Sequence, residues 1–117
     1  MRNLKAQSEQ QIYSTIMEAR LKLENTDIFT KMAKESPIFE ARFSVVDSPE
    51  EYYTIVAFLD LFEFLFALNK RQMIDNEIWS RWKGLAQTIM TIPKFKKVWD
   101  KTKDIHSYEF RGFIDSL

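Results

Sequence analysis

Cysteine is absent from this 117-residue chain, so no disulfide framework, thiolate zinc site or cysteine nucleophile can be built from it. Glycine and proline are scarce, two and three respectively. That excludes sandwiches and barrels, which need turn residues every few positions. Neither charge sign dominates: seventeen basic residues meet seventeen acidic ones, so the chain as a whole is no obvious polyanion binder. Long hydrophobic runs are missing too. The longest, Ile55 to Leu68, is 14 residues, whereas a membrane-spanning helix needs roughly 20. The opening "MRNLKAQSEQQ" is polar throughout and reads as no signal peptide. No glycine-rich phosphate loop, nucleophile elbow or triad order occurs.

What is present is core material. Hydrophobic residues make up 45% of the chain, with ten Phe and three Trp, enough for one packed core and a single domain over 1–117. The expected class is all-α: an irregular bundle of four to six helices around an aromatic-rich core. Leu4, Ile12, Ile16, Ala19 and Leu23 recur at helical spacing over residues 4–24, flanked by Tyr13, Met17 and Leu21. A break follows at Asn25-Thr26. "DIFTKMAKE" then sets Ile28, Phe29 and Met32 on one side and stops before Pro37, which disfavours a helical Ser36. Residues 37–47 are the least regular. "SPEE" reads as a capping box, with Ser48 at the N-cap, Pro49 at the first helical position and Glu51 three residues after the cap. That helix should run to about Asn69. Asp75 caps the next, whose stripe is Ile78, Trp82, Leu85 and Ile89, with Ile74 placed to staple onto Trp79. Pro93 starts a shorter helix burying Phe95, Val98 and Trp99. Ser107 caps a last one burying Phe110, Phe113, Ile114 and Leu117.

The central helix carries two acids, Asp60 and Glu63, at i and i+3 and therefore on one side. Neither has a cation at i±4, so any neutralising partner must come from another helix. An antiparallel hairpin turning about residue 72 sets position 63 opposite 81, which makes Arg81 the partner expected for Glu63. Asp60 would then face Gly84, where a missing side chain permits close approach. A metal site is not expected. Bundle metal centres add Glu-x-x-His motifs from two helices, and this chain has one histidine, His106, and no such motif. A glycosidase-like pair needs carboxyls about 5 Å or more apart around a cleft, for which adjacent turns of one helix are a poor frame. Structural pairing is the preferred reading, with no catalytic residue and no cofactor.

Trp82 and Trp99 lie on apolar stripes and read as core rather than stacking platforms, while Trp79 sits at a helix start. Lys94, Lys96, Lys97, Lys101 and Lys103 could contact lipid or nucleic-acid phosphates, with a strong salt dependence. Asp100 and Asp104 dilute that patch, so a solvated face is preferred. His106, just before the Ser107 cap, reads as a surface or capping residue.

Several local patterns together resemble a widespread, uncharacterised family of small prokaryotic proteins with an N-terminal membrane helix followed by a soluble helical bundle. The matching residues are Arg2, Asn3, Lys5, Ala6 and Ser8 at the start, and Glu63 amid apolar residues in the central helix. "IDNEIWSRW", "PKFKKVW" and the closing Phe110, Phe113, Ile114 and Asp115 complete them. The resemblance spans nearly the whole chain and implies a helical fold but no activity. The family's membrane helix has no counterpart here, so the chain reads either as a soluble portion cut just after the anchor or as a natural variant lacking it. Basic residues directly after such a span favour a cytoplasmic domain, at the membrane's inner face.

The expected function is that of a non-enzymatic helical domain acting through protein contacts, by self-association or with a partner. One alternative is a polyanion-binding module using the lysine-rich segment 94–103, with anionic headgroups a better target than nucleic acid. The other is an enzyme using Asp60 and Glu63.

Overall fold

A computed structural model describes residues 2–24 and 26–117, with side chains for 7–24 and 26–117. Leu4, expected on the first stripe, the break at Asn25, and the side chains of Arg2, Asn3, Lys5 and Ala6 lie outside the described set. The architecture is all-α, as expected. The helices are α1 (Arg2–Glu24), α2 (Asp27–Ala33), α3 (Pro37–Phe43), α4 (Pro49–Lys70), α5 (Asn76–Ile89), α6 (Pro93–Thr102) and α7 (Tyr108–Asp115), with a 3₁₀ turn over Lys103–Ile105 between the last two. Among the described residues there are seven helices, more than the four to six expected, because residues 37–47 are more regular than their composition suggests. Ser36 adopts extended φ/ψ and accepts a hydrogen bond from Phe39 N–H at 3.4 Å, while Pro37 takes the first helical position. The proline that ends one helix thus starts the next.

The Ser48 cap forms as expected. Its hydroxyl accepts from Glu51 N–H at 3.3 Å, and the Glu51 carboxylate reaches one residue further out, to Asp47 N–H at 2.9 Å. The helix it starts, α4, packs against α1, α3, α5 and α6. Being apolar almost all round, it belongs in the middle of the bundle. Tyr52, Ile55, Leu59 and Phe62 of α4 are buried together with Val98, Trp99 and Phe110. Phe110 meets Trp99 edge-on at 5.7 Å, and Phe66 stacks on Phe113 at 5.0 Å. The Trp99 indole N–H donates to Asp115 at 2.9 Å and so ties α7 to α6.

One expected stripe points the other way, and a second does so in half of its residues. On α1, Ile12, Ile16 and Leu23 are 59%, 61% and 68% exposed, and the half-buried strip is Tyr13, Met17 and Arg20. The cause lies on α4, which offers Phe64 for Tyr13 to stack on at 4.2 Å and Asp60 for Arg20 to pair with. On α5, Ile78 and Leu85 are exposed, while Trp82, Ala86 and Ile89 face the core. The Trp82 ring meets Phe62 at 6.3 Å and sets that rotation.

The α4–α5 turn closes with Met73 N–H donating to Leu68 C=O at 2.9 Å and Gln72 N–H to Asn69 C=O at 3.0 Å. That is a Schellman cap, which demands a left-handed residue. Here it is Gln72, at φ 57. Glycine stands instead inside α5, as Gly84, where an added Cβ would meet nothing within 4 Å. Glycine is therefore absent where the backbone favours it and present where it costs helix stability. Gln72→Gly and Gly84→Ala should each raise the unfolding free energy by about 0.5–1 kcal/mol. Urea titration checks this. A lower midpoint for either variant, at unchanged slope, contradicts the local geometry.

Candidate functional site

The acids of α4 meet neither Arg81 nor Gly84. Arg81 donates to Glu77, one turn back on α5, at 2.8 Å, and both are exposed. The open space around Gly84 shows no close approach there. The hairpin forms, but α5 turns Trp82 and Ala86 toward α4. The acid strip meets α1 and the corner between α6 and α7 instead.

Asp60 is buried and pairs with Arg20 of α1, whose Nη1 donates to Asp60 Oδ2. Arg20 Nε also donates to Glu24 at 2.9 Å, so one guanidinium bridges two carboxylates. Tyr13, about two turns earlier on α1, donates its hydroxyl to the Asp60 backbone carbonyl at 3.2 Å. Glu63, half-buried, accepts the backbone N–H of Ser107 on Oε2 at 2.9 Å and faces His106 Nδ1 through Oε1 at 3.1 Å. Ser107 is the N-cap of α7, and its hydroxyl accepts from Phe110 N–H at 3.2 Å. A capping box would supply a glutamate from the N3 position to take the cap's own N–H. N3 is Phe110, committed to the core, and Glu63 performs that task from a different helix.

His106 is not the surface residue expected. Its side chain is 2% exposed, with Trp99 at 5.3 Å and Phe110 at 5.4 Å between ring centres. The 3₁₀ turn ends in an extended His106 (φ −95, ψ 160), which sends the ring inward. Its Nε2 is buried without a hydrogen-bond partner among the described residues. Tyr13, Ile16, Met17, Arg20, Asp60, Glu63, Ile105 and His106 line an open-sided cavity of about 150 Å³.

The two acids titrate in opposite senses. Burial pushes the Asp60 carboxyl above its ordinary value, against the pull of the Arg20 charge. Burial also pushes Glu63 upward, but the hydrogen bonds from His106 and Ser107 together outweigh it and leave its pKa lowered. Burial, then Asp60 and Glu63, push Tyr13 up to about 12. A carboxylate with a depressed folded pKa contributes stability above its unfolded value that is lost as pH falls through the folded value. Glu63 therefore favours the fold from its ordinary 4.5 upward. Asp60, with a raised pKa, loses stability as pH rises through the window above its ordinary 3.8.

The lysine set divides. Lys94 donates to Asp47 at 2.7 Å and to both Glu51 oxygens at 3.0 and 2.9 Å, joining α6 to the start of α4. Lys96, Lys97 and Lys101 are exposed, Lys103 is half-buried, and exposed Asp100 and Asp104 stand among them. Arg20 was legible in principle: it shares a helical strip with Tyr13, Met17 and Glu24. The meeting of Glu63 with His106, 43 residues away, had no sequence signal. Comparison of the chain with family models, with curated proteins and with solved structures gives no match.

Arg20→Met should cost about 2 kcal/mol at pH 7, less than the ~3–5 of a fully buried pair because Arg20 is one-third exposed. Arg20→Met/Asp60→Leu should recover most of that loss, since no unpaired charge is left inside. Chemical denaturation of both variants decides, and a double variant no better than the single contradicts the pairing. Glu63→Gln should lose about 1–2 kcal/mol above pH 5 and converge on the parent as pH falls below 4.5. A loss that stays constant across that range contradicts the assignment.

Proposed function

We propose that the chain is a non-enzymatic helical domain that acts through protein contacts made by the outer face of α1. The observation that carries this reading is the outward seam Ile12, Ile16, Ala19 and Leu23. Its 4-3-4 spacing is that of a coiled-coil seam, which seats another helix. Ile28 and Met32 of α2, 73% and 60% exposed, lengthen the apolar face. Contiguous exposed patches of this kind mark interaction sites.

The partner that fits is a second copy. Antiparallel pairing of two α1 helices sets Ile16 against Ala19, large against small, and Ile12 against Leu23 at each end. Thr15 then stands near Lys22 of the other copy, with no like charges opposed.

The other readings have less support. A cavity of about 150 Å³ is below the ~300–1,000 Å³ of sites that hold organic substrates, and its acids are engaged by Arg20, His106 and Ser107. In the segment 94–103, Lys94 is occupied by Asp47 and Glu51. Among the described residues no helix is long and apolar enough to cross a membrane. The family resemblance supports a domain carried on the cytoplasmic side of a membrane anchor.

Sedimentation equilibrium tests the reading. The parent should form dimers at tens of micromolar, and Ile16→Glu should give a monomer with unchanged helical circular dichroism. A parent that stays monomeric at about 200 μM, roughly −5 kcal/mol in affinity terms, contradicts it.

A further inference from the structure

The α4 centre has a charge imbalance that its own partners leave uncorrected. Two carboxylates, Glu24 and Asp60, share the single guanidinium of Arg20, and Glu63 has no arginine or lysine partner among the described residues. One ligand atom from each of Asp60, Glu63 and His106 lies within 4.8 Å of the others. All three residues line the same cavity. Each carboxylate is also held from behind. Arg20 Nη1 takes Asp60 Oδ2, and the Ser107 N–H takes Glu63 Oε2 at 2.9 Å. That leaves Asp60 Oδ1, Glu63 Oε1 and His106 Nδ1 as the coordinating ends.

Outer donors that orient one oxygen and leave the other free are a feature of metal sites. The His106 ring, 2% exposed and set between Trp99 and Phe110, cannot turn away into solvent. Its Nδ1 stands 3.1 Å from Glu63 Oε1. Two ligands bound cis or tetrahedrally at about 2.0–2.1 Å from an ion are separated by about 2.8–3.4 Å. That edge of the polyhedron is already in place, and Asp60 offers a third ligand atom within 4.8 Å of the other two. The cavity has room for an ion and a few waters, at about 30 Å³ per water.

We propose that Asp60, Glu63 and His106 form a three-ligand site for one first-row divalent transition-metal ion. The ligand set, two carboxylate oxygens and one imidazole nitrogen, suits zinc, manganese or ferrous iron better than magnesium or calcium, which prefer oxygen alone. The ion takes the place of the proton shared between His106 and Glu63. It joins α4 to the α6–α7 corner more firmly than that hydrogen bond does. Open positions face the cavity and hold water. Arg20, in contact with Asp60, opposes the ion's charge and sets the affinity.

The full chain, stripped with EDTA, is titrated separately with Co²⁺, Mn²⁺ and Zn²⁺ at pH 7.5, in separate arms read by visible absorption (Co²⁺) and thermal unfolding (all three). The expected results are Co²⁺ d–d bands at one equivalent and a midpoint that rises with metal concentration as binding linkage requires. Asp60→Asn and Glu63→Gln should each weaken binding by about tenfold or more, and Arg20→Met should tighten it by about tenfold. Arg20→Met keeps the test independent of variants that lose their fold, because it predicts a gain. No d–d bands and no midpoint shift at about 1 mM, in either the parent or Arg20→Met, overturns the proposal. So does a shift that Asp60→Asn and Glu63→Gln leave unchanged, since the ion would then sit elsewhere on the surface.

Discussion

The structure depends on two carboxylates placed one helical turn apart on its most hydrophobic element. A helix sets side chains at i and i+3 on one face, about 5–6 Å apart, so Asp60 and Glu63 cannot diverge. A lone buried carboxylate would be costly, and each must find a donor from a neighbouring element. Asp60 draws in Arg20 and so fixes how α1 lies on α4. Glu63 draws in the Ser107 amide and His106 and so fixes where the chain turns from α6 into α7. Hydrophobic packing alone is non-directional and would tolerate several rotations of these elements. The polar contacts select one.

That selection has a consequence on the outside. Once α1 presents Tyr13 and Arg20 to α4, its aliphatic seam must face away, because the two strips lie on different sides of the same cylinder. The exposed Ile12, Ile16 and Leu23 follow from the polar centre and are not a failure of packing. Interior geometry and exterior surface are thus coupled through one helix.

How much was legible in the sequence follows from the range of the forces involved. The Ser48, Asp75 and Ser107 caps, and Pro49 and Pro93 at helix starts, are local effects within four residues, and they formed where expected. The all-α class followed from scarce glycine and proline. Periodicity located α1 and α5 but not which side of α1 is buried, and on α5 it placed Trp82 and Ile89 inside but not Ile78 and Leu85, because both helices carry more apolar residues than one face can hold. On α1 a charge pair, and on α5 a tryptophan ring, decided the rotation. The Glu63–Arg81 pairing assumed a symmetrical hairpin with the acids inside it. His106 was read as exposed because histidine beside a cap usually is. Its burial depends on a 3₁₀ turn and an aromatic slot assembled from two helices, neither visible in a local window.

The central claim is that Glu63 caps α7 from a distance. The amide of Ser107 reports this directly, because an N-cap amide ordinarily faces water while this one is held by a carboxylate from another helix. Native-state hydrogen exchange by NMR compares it with the amide of Asp75, the N-cap of α5. Ser107 should exchange at least about 100-fold more slowly than Asp75 after correction for intrinsic rates. Equal rates for the two caps would contradict the account.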